Sequence, residues 1–232
     1  MLIWGLVLVV VVAGLSVVAW VWAVRRPVPS PEDQQGAGAA IPVEEPRSPA
    51  YVAIGNTDVN ALFGNKEPSA EEGWVTLLHR MLPKDTPLSI LGERTRTLSE
   101  VNAEAIPAAI QLKPTLVTLW NVVGDSTGGT SLTSYLGELR KALDVLTGET
   151  DAQVVLLTLP DITFLMQDQS EDRKTLVRGG IEQWNRVIGE AATRYGSRVL
   201  TLNLYHKTPE LLDPANGNTF LARTIHHELQ DA

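Results

Sequence analysis

Gln153-Val-Val-Leu-Leu-Thr-Leu159, followed at once by Pro160-Asp161, is the stretch that decides the fold. Its apolar side chains do not alternate with polar ones. A strand with one wet face alternates, whereas the central strand of a parallel sheet, covered by helices on both sides, reads as a near-continuous apolar run. On its N-terminal side, residues 131–146 place Leu132, Tyr135, Leu136, Leu139 and Leu143 on one helical stripe, and Thr115-Leu-Val-Thr-Leu-Trp120 before them reads as another strand. On its C-terminal side come the longest helical pattern (175–195), a strand (198–202) and a closing helix (218–229). Further out, Tyr51-Val-Ala-Ile-Gly55 is a strand ending in glycine, residues 71–82 carry Trp74, Leu77, Leu78 and Met81 at helical spacing, and residues 88–91 form a strand. Residues 97–110 read as a helix opened by a Thr97/Glu100 capping box.

Five strands alternating with helices predict a three-layer α/β/α domain with a five-stranded parallel sheet. Ligands in such folds bind beyond the carboxyl ends of the strands, so the informative loops are 55–64, 92–97, 121–130, 160–169 and 203–218.

The N-terminal fifth of the chain reads differently. Residues 1–24 hold no charged side chain, and at about 1.5 Å per helical residue they span roughly 36 Å, enough to cross a bilayer. Trp4, Trp20 and Trp22 lie near the ends of this stretch, and Arg25 and Arg26 close it. A cleaved signal peptide is the rival reading, but the apolar run is too long for one and lacks a basic start, so a single-pass anchor is expected. Residues 25–49, rich in Pro, Gly, Ala and acids, predict a linker, which leaves residues 50–232 as the folded body. The two arginines argue for a cytoplasmic body.

Beyond Arg26 there are 17 basic and 27 acidic residues, a net −10 that disfavours nucleic acid as a partner. With no cysteine, disulfides, thiolate catalysis and thiolate metal sites are excluded. No cofactor or metal is expected: His226 and His227 are adjacent rather than four apart on their helix, and Gly124-Asp-Ser-Thr-Gly-Gly129 lacks the Gly-Lys-Ser/Thr of a phosphate-binding loop.

Several segments, taken in order, resemble the SGNH or GDSL hydrolase superfamily, esterases and lipases on a flavodoxin-like fold. Tyr51-Val-Ala-Ile-Gly55-Asn56-Thr57 resembles the opening strand and its Gly-Asp-Ser turn. Ile90-Leu91-Gly92 through Thr97-Leu98 is similar to the second block, Asn-Leu-Gly-x-x-Gly-x-Thr-Leu. The stretch from Pro114 through Trp120 to Gly124-Asp125 is similar to the third, which ends in Gly-x-Asn-Asp. The strand ending at Pro160, and Trp184-Asn185 in the long helix, fit as well. The similarity covers essentially the whole of residues 50–232.

The resemblance implies a site in which the family's chemistry is altered. Thr57 takes the place of the nucleophilic serine and Asn56 that of the acid before it; Thr95 takes the place of the oxyanion-hole glycine and Gly124 that of its asparagine. Asp213 stands where the histidine base is expected from an Asp-x-x-His-Pro block. A threonine methyl stiffens χ1 and crowds attack, and a carboxylate is a poor base for a hydroxyl. His206, after the last strand, is the substitute base to consider, and Asn121 the substitute oxyanion donor. Asp58, Asp125 and Asp161 are carboxylates near strand ends; Asp125 fits the family's turn aspartate, Asp161 reads as a turn or cap residue, and His79 reads as surface or cap.

Two functions follow as expectations. One is a hydrolase-like domain that binds a small acyl or glycan ligand, or acts as a scaffold, without turnover. The other is an acyl-ester hydrolase, of the esterase/lipase or carbohydrate-acetylesterase type, using Thr57 with His206 or Asp213. The superfamily is often exported, which sets the expectation of an extracytoplasmic body against the arginine rule.

Overall fold

The computed structural model describes residues 50–63, 71–91 and 97–232. The expected anchor and linker, and Thr95, lie outside the described residues. Among the described residues no helix is long and apolar enough to cross a membrane.

Five strands form one sheet: β1 (Tyr51–Gly55), β2 (Leu88–Leu91), β3 (Leu116–Trp120), β4 (Gln153–Leu157) and β5 (Val199–Leu202). They pair in parallel in the order β2-β1-β3-β4-β5, with Ala53 opposite Thr118, Val117 opposite Val154 and Leu157 opposite Leu202. β1 and β3 are buried along their whole length, and β4 everywhere but at Gln153, as the uninterrupted apolar runs predict.

The helices are α1 (Val59–Phe63), α2 (Trp74–His79), α3 (Leu98–Gln111), α4 (Val122–Thr127), α5 (Leu132–Glu149), α6 (Glu171–Ala192), α7 (Thr208–Leu211) and α8 (Gly217–Asp231). α5 packs between α3 and α6, while α2 and α8 pack on each other. Of the expected stripe of α5, Tyr135, Leu139 and Leu143 are buried while Leu132 and Leu136 are partly so, and Leu146 extends the buried face.

The helix starts follow side-chain chemistry. The Thr97/Glu100 capping box is present in full, and the Ser131 and Ser170 hydroxyls accept from the N–H groups of Ser134 and Arg173. The Ser170 cap explains why α6 begins at Glu171, upstream of the apolar pattern that starts at 175. Glu171 and Asp172 then lie in the first turn, where the helix dipole favours acids. α2 is shorter than its apolar spacing predicts, with Gly73 as its extended N-cap.

The reading of 121–130 as a loop is corrected: Val122–Thr127 is α4. Buried Val122 and the side chain of Asp125 fix this segment, and Thr127 donates back to the Val123 carbonyl at 2.7 Å. Tertiary anchoring overrides a composition that favours a loop.

In the order 2-1-3-4-5 the chain leaves β1 toward one edge, returns through β2, then crosses to β3. The crevice between the ends of β1 and β3 is the switch point where such sheets bind ligands.

Candidate functional site at the switch point

β1 ends on Gly55, whose φ of +96° turns the chain sharply. A Cβ there would run into the carbonyl of Trp120 and lie 3.1 Å from the Cβ of Asn121, so only glycine lets the exit of β1 lie against the end of β3. Asn56 is 3% exposed; its backbone N–H and its side-chain amide both donate to the Trp120 carbonyl, at 2.8 and 2.9 Å. An ionised aspartate could not make the second of these bonds, which gives Asn56 a structural reason. Thr57 follows, partly exposed, above the sheet at the switch point.

The next residue ties two distant parts of the chain together. Asp58 Oδ1 accepts from the Asn60 and Ala61 N–H groups at 2.8 and 3.3 Å, which caps α1, and from the Asn218 side-chain amide at 2.8 Å. Asn218 Oδ1 in turn accepts from the Val59 N–H at 2.8 Å, and Asn60 donates to the Pro214 carbonyl at 3.1 Å. This reciprocal clamp holds the loop before α8 at the exit of β1. Asp58 is thus a cap, a role the sequence reading did not assign to it, and Asn218 is a residue that reading did not single out.

Within that loop Asp213 serves its own backbone. Oδ1 accepts from the Ala215 N–H at 2.9 Å and Oδ2 from the Asn216 side-chain amide at 3.0 Å. The Asn216 amide first, then the Ala215 N–H, hold this carboxyl below the usual carboxylate range. A carboxylate stabilised in this way is a weaker base than an ordinary aspartate.

Asn121 is 4% exposed at the end of β3, beside Gly55 and Asn56, and is the N-cap residue of α4. Gly124 lies inside α4, its carbonyl accepting from Gly128 N–H at 2.9 Å. Asp125 is 2% exposed and turned away from the switch point: Oδ2 accepts from the Leu98 N–H at 2.7 Å and so caps α3. Burial pushes its carboxyl above the ordinary range, against the Leu98 and Thr130 hydrogen bonds. Asp161 caps the 3-10 turn Ile162–Leu165 and receives Arg178 at 3.2 Å, the cap role expected of it.

The structure does not bring His206 to Thr57. It sits on the short turn after β5, its ring 5.0 Å from that of Tyr205, in a notch shared with Glu182 and Arg186. β5 is three strands from β1, or roughly 14 Å across the sheet. The other three histidines are held at other places in the fold. His79 donates to the Thr86 carbonyl, just before β2 begins, at the opposite edge. His226 and His227 lie roughly 14 Å or more along α8 from its start.

Beside the switch point lies a feature absent from the sequence reading, an apolar cleft of about 420 Å³. Leu62 and Phe63 of α1 and Val123 of α4 form one wall; Ile162, Ile181 and Trp184 belong to the other. Ring contacts hold the aromatic walls, Phe63 tilted on Trp120 at 6.3 Å and Trp184 edge-on with Tyr135 at 4.9 Å. Thr57 lies two residues before α1, so the hydroxyl position and the cleft share one short helix. Among the described residues no cluster of histidines and carboxylates is suited to hold a metal ion.

No protein-family model matches the chain, and no curated protein matches its sequence. Solved structures share its fold. TesA matches with a TM-score of 0.57 at 17% identity, over 78% of this chain and 98% of that one. Axe2, an acetylxylan esterase from Geobacillus stearothermophilus, matches with a TM-score of 0.56 at 18% identity, over 78% and 93%. A member of the lipolytic G-D-S-L family from Veillonella parvula DSM 2008 matches with a TM-score of 0.53 at 12% identity, over 76% and 95%. The fold is therefore the SGNH/GDSL esterase fold that the resemblance implied.

Proposed function

We propose that this chain is a ligand-binding derivative of the SGNH/GDSL fold that holds an acyl chain in its apolar cleft without hydrolysing an ester. The observation that carries the reading is the bond between Asp213 and Asn216. Asp-x-x-Asn repeats the Asp-x-x-His spacing of the family's last block, with the acid still oriented toward the residue three positions on. Read this way, Asp213 is the acid of the pair rather than the base, and the base position holds an amide. A side-chain amide neither takes nor returns a proton at neutral pH. All four histidines lie elsewhere, so Thr57 has no imidazole to deprotonate it. Gly124, at the position of the oxyanion asparagine, adds no side-chain donor, a change that costs about 10²- to 10³-fold where it has been made in an active enzyme.

The cleft supplies what remains. Its volume falls in the ordinary range of ligand sites, and its walls are aliphatic and aromatic. Burial of each further methylene contributes about 0.8 kcal/mol, so affinity for fatty acids rises roughly fourfold per carbon until the cleft is full. In this reading residues 1–24 anchor the body to a membrane through the 25–49 linker, with the body on the outer side; protection from external protease on intact cells would reverse the side.

The test is direct. The purified chain is expected to release no p-nitrophenol from the acetate or butyrate ester above buffer, and to melt at higher temperature with fatty acids of increasing length. Turnover abolished by Thr57→Ala would instead establish the acyl-ester hydrolase. Stabilisation by a xylooligosaccharide but not by a fatty acid would move the ligand to the glycan class.

A further inference from the structure

We infer that the mouth of the apolar cleft docks on a bilayer surface through Phe164, Leu165 and Leu176. The inference rests on the acyl-binding reading and adds its partner, a lipid surface from which the chain enters.

The first observation is exposure. Phe164 and Leu165 are 51% and 53% exposed and Leu176 is 68% exposed, more than the other exposed large apolar residues, Ile90 and Leu112. Single exposed apolar residues need no explanation, but these three share one place. Leu165 lines the cleft, Phe164 precedes it on the 3-10 turn Ile162–Leu165, and Leu176 precedes Val177, which also lines the cleft. The turn packs on α6, so both lips belong to one mouth. The apolar surface thus continues from the cleft lining at Leu165 and Val177 to the exposed side chains of Phe164 and Leu176 beside them.

Charge is the second. An acidic chain, with 27 acids against 17 basic residues beyond Arg26, is repelled by an anionic lipid surface over most of its exterior. Between residues 161 and 178 the acids Asp161, Asp168, Glu171 and Asp172 stand against Arg173, Lys174 and Arg178, a net −1, with Asp161 on Arg178 at 3.2 Å and Glu171 on Lys174 at 2.8 Å. Arg173 stands between Asp172 and Lys174 on the same helix turn. The rim is near neutral, which removes the repulsion that would oppose burying the three side chains in a headgroup layer.

The third is reach. The uncharged residues 1–24 fit a bilayer span, and the 25–49 linker extends at most to about 70–80 Å, so an anchored body never leaves the neighbourhood of the membrane. Tethering raises the local concentration of the surface, and a patch of three side chains suffices to populate a docked state that a free domain would not hold.

The chain has no cysteine, so a single introduced one takes an environment-sensitive dye without background. Full-length Leu176→Cys, labelled and reconstituted into phosphatidylcholine/phosphatidylglycerol vesicles, is expected to show blue-shifted emission and quenching by a lipid carrying a nitroxide on its acyl chain. Labelled His227→Cys, on the exposed far part of α8, is expected to show neither. Adding Phe164→Asp and Leu165→Asp, both exposed and outside the core, should return the Leu176→Cys label to water. A label at 176 that stays unquenched overturns the docking. A blue shift that grows with protein density, without nitroxide quenching, overturns it in favour of a second copy of the chain. Uptake of cis-parinaric acid by the same preparation separates the two readings. Uptake without quenching leaves the acyl site standing and removes the docking; quenching without uptake supports the docking and removes the acyl site.

Discussion

At Gly55 the backbone adopts φ +96° with the Trp120 carbonyl where a Cβ would sit. Gly55→Ala must therefore strain the turn and push β1 from β3 together, and a loss of about 3 kcal/mol is expected from chemical denaturation. A loss under 1 kcal/mol would mean that the turn relaxes freely. Two aspartates nearby titrate with opposite signs. Asp125 has a raised folded pKa through burial, so between that value and its unfolded value near 3.9 the folded state holds more protons, and stability rises as pH falls through this window. Asp213 has a depressed folded pKa, so its contribution is present above about 3.9 and is lost as pH falls toward the folded value. Urea midpoints taken from pH 7 to pH 3 are expected to lose the first trend in Asp125→Asn and the second in Asp213→Asn. A wild-type profile unchanged by both substitutions would show that other carboxylates set it.

α1 and α8 are separate in sequence yet meet through two reciprocal bonds, Asn218 to Asp58 and Val59 to Asn218, each 2.8 Å and buried. Removing Asp58 leaves the buried Asn218 amide without this acceptor, and removing Asn218 leaves the buried Val59 N–H without its acceptor, so Asp58→Ala and Asn218→Ala are each expected to cost about 1–3 kcal/mol. The double variant is expected to cost less than their sum, because the second removal deletes an already orphaned group. Additive losses would mean the two side chains act independently. This clamp also shows where the sequence was readable and where it was not. β1, β3 and β4 were legible because a parallel core strand is apolar along its length, and α3 because its cap is local, Thr97 with Glu100. α1 was missed because five residues carry too little of a 3.6-residue period, and α4 because Gly124, Gly128 and Gly129 mimic a loop while its anchor, Leu98 N–H to Asp125, spans 27 residues. Asp58 and Asn218 lie 160 residues apart, and the walls of the cleft come from α1, α4, α6 and the turn after β4. No local pattern encodes such a site. At the switch point the sequence offered only an alignment of positions to a family pattern; the bond from Asn216 to Asp213 lay outside that alignment, which had put Asp213 in the base position.

As a whole, residues from Ser48 to Ala232 form one compact unit. That unit holds all five strands, both helix pairs, the clamp and the cleft. Among the described residues its buried core runs from Tyr51 to Ile225, and a chain of ~185 residues is long enough to bury most of its apolar surface. The stability of the fold should then be independent of the N-terminal fifth. Residues 48–232 expressed alone are expected to unfold in one cooperative transition, with a heat-capacity change of roughly 2–3 kcal/mol/K for that length and a midpoint within about 2 °C of the full chain. Differential scanning calorimetry of the two proteins measures this. A broad or lowered transition in the shorter protein would mean that residues 1–47 contribute to folding, and the proposed division of labour, a tether in front of a self-sufficient binding body, would have to be abandoned. An unchanged transition leaves the proposed tether one effect only, the proposed confinement of the cleft near a membrane. It also makes the shorter protein the reagent for ligand affinity, free of the detergent that an apolar 24-residue segment demands.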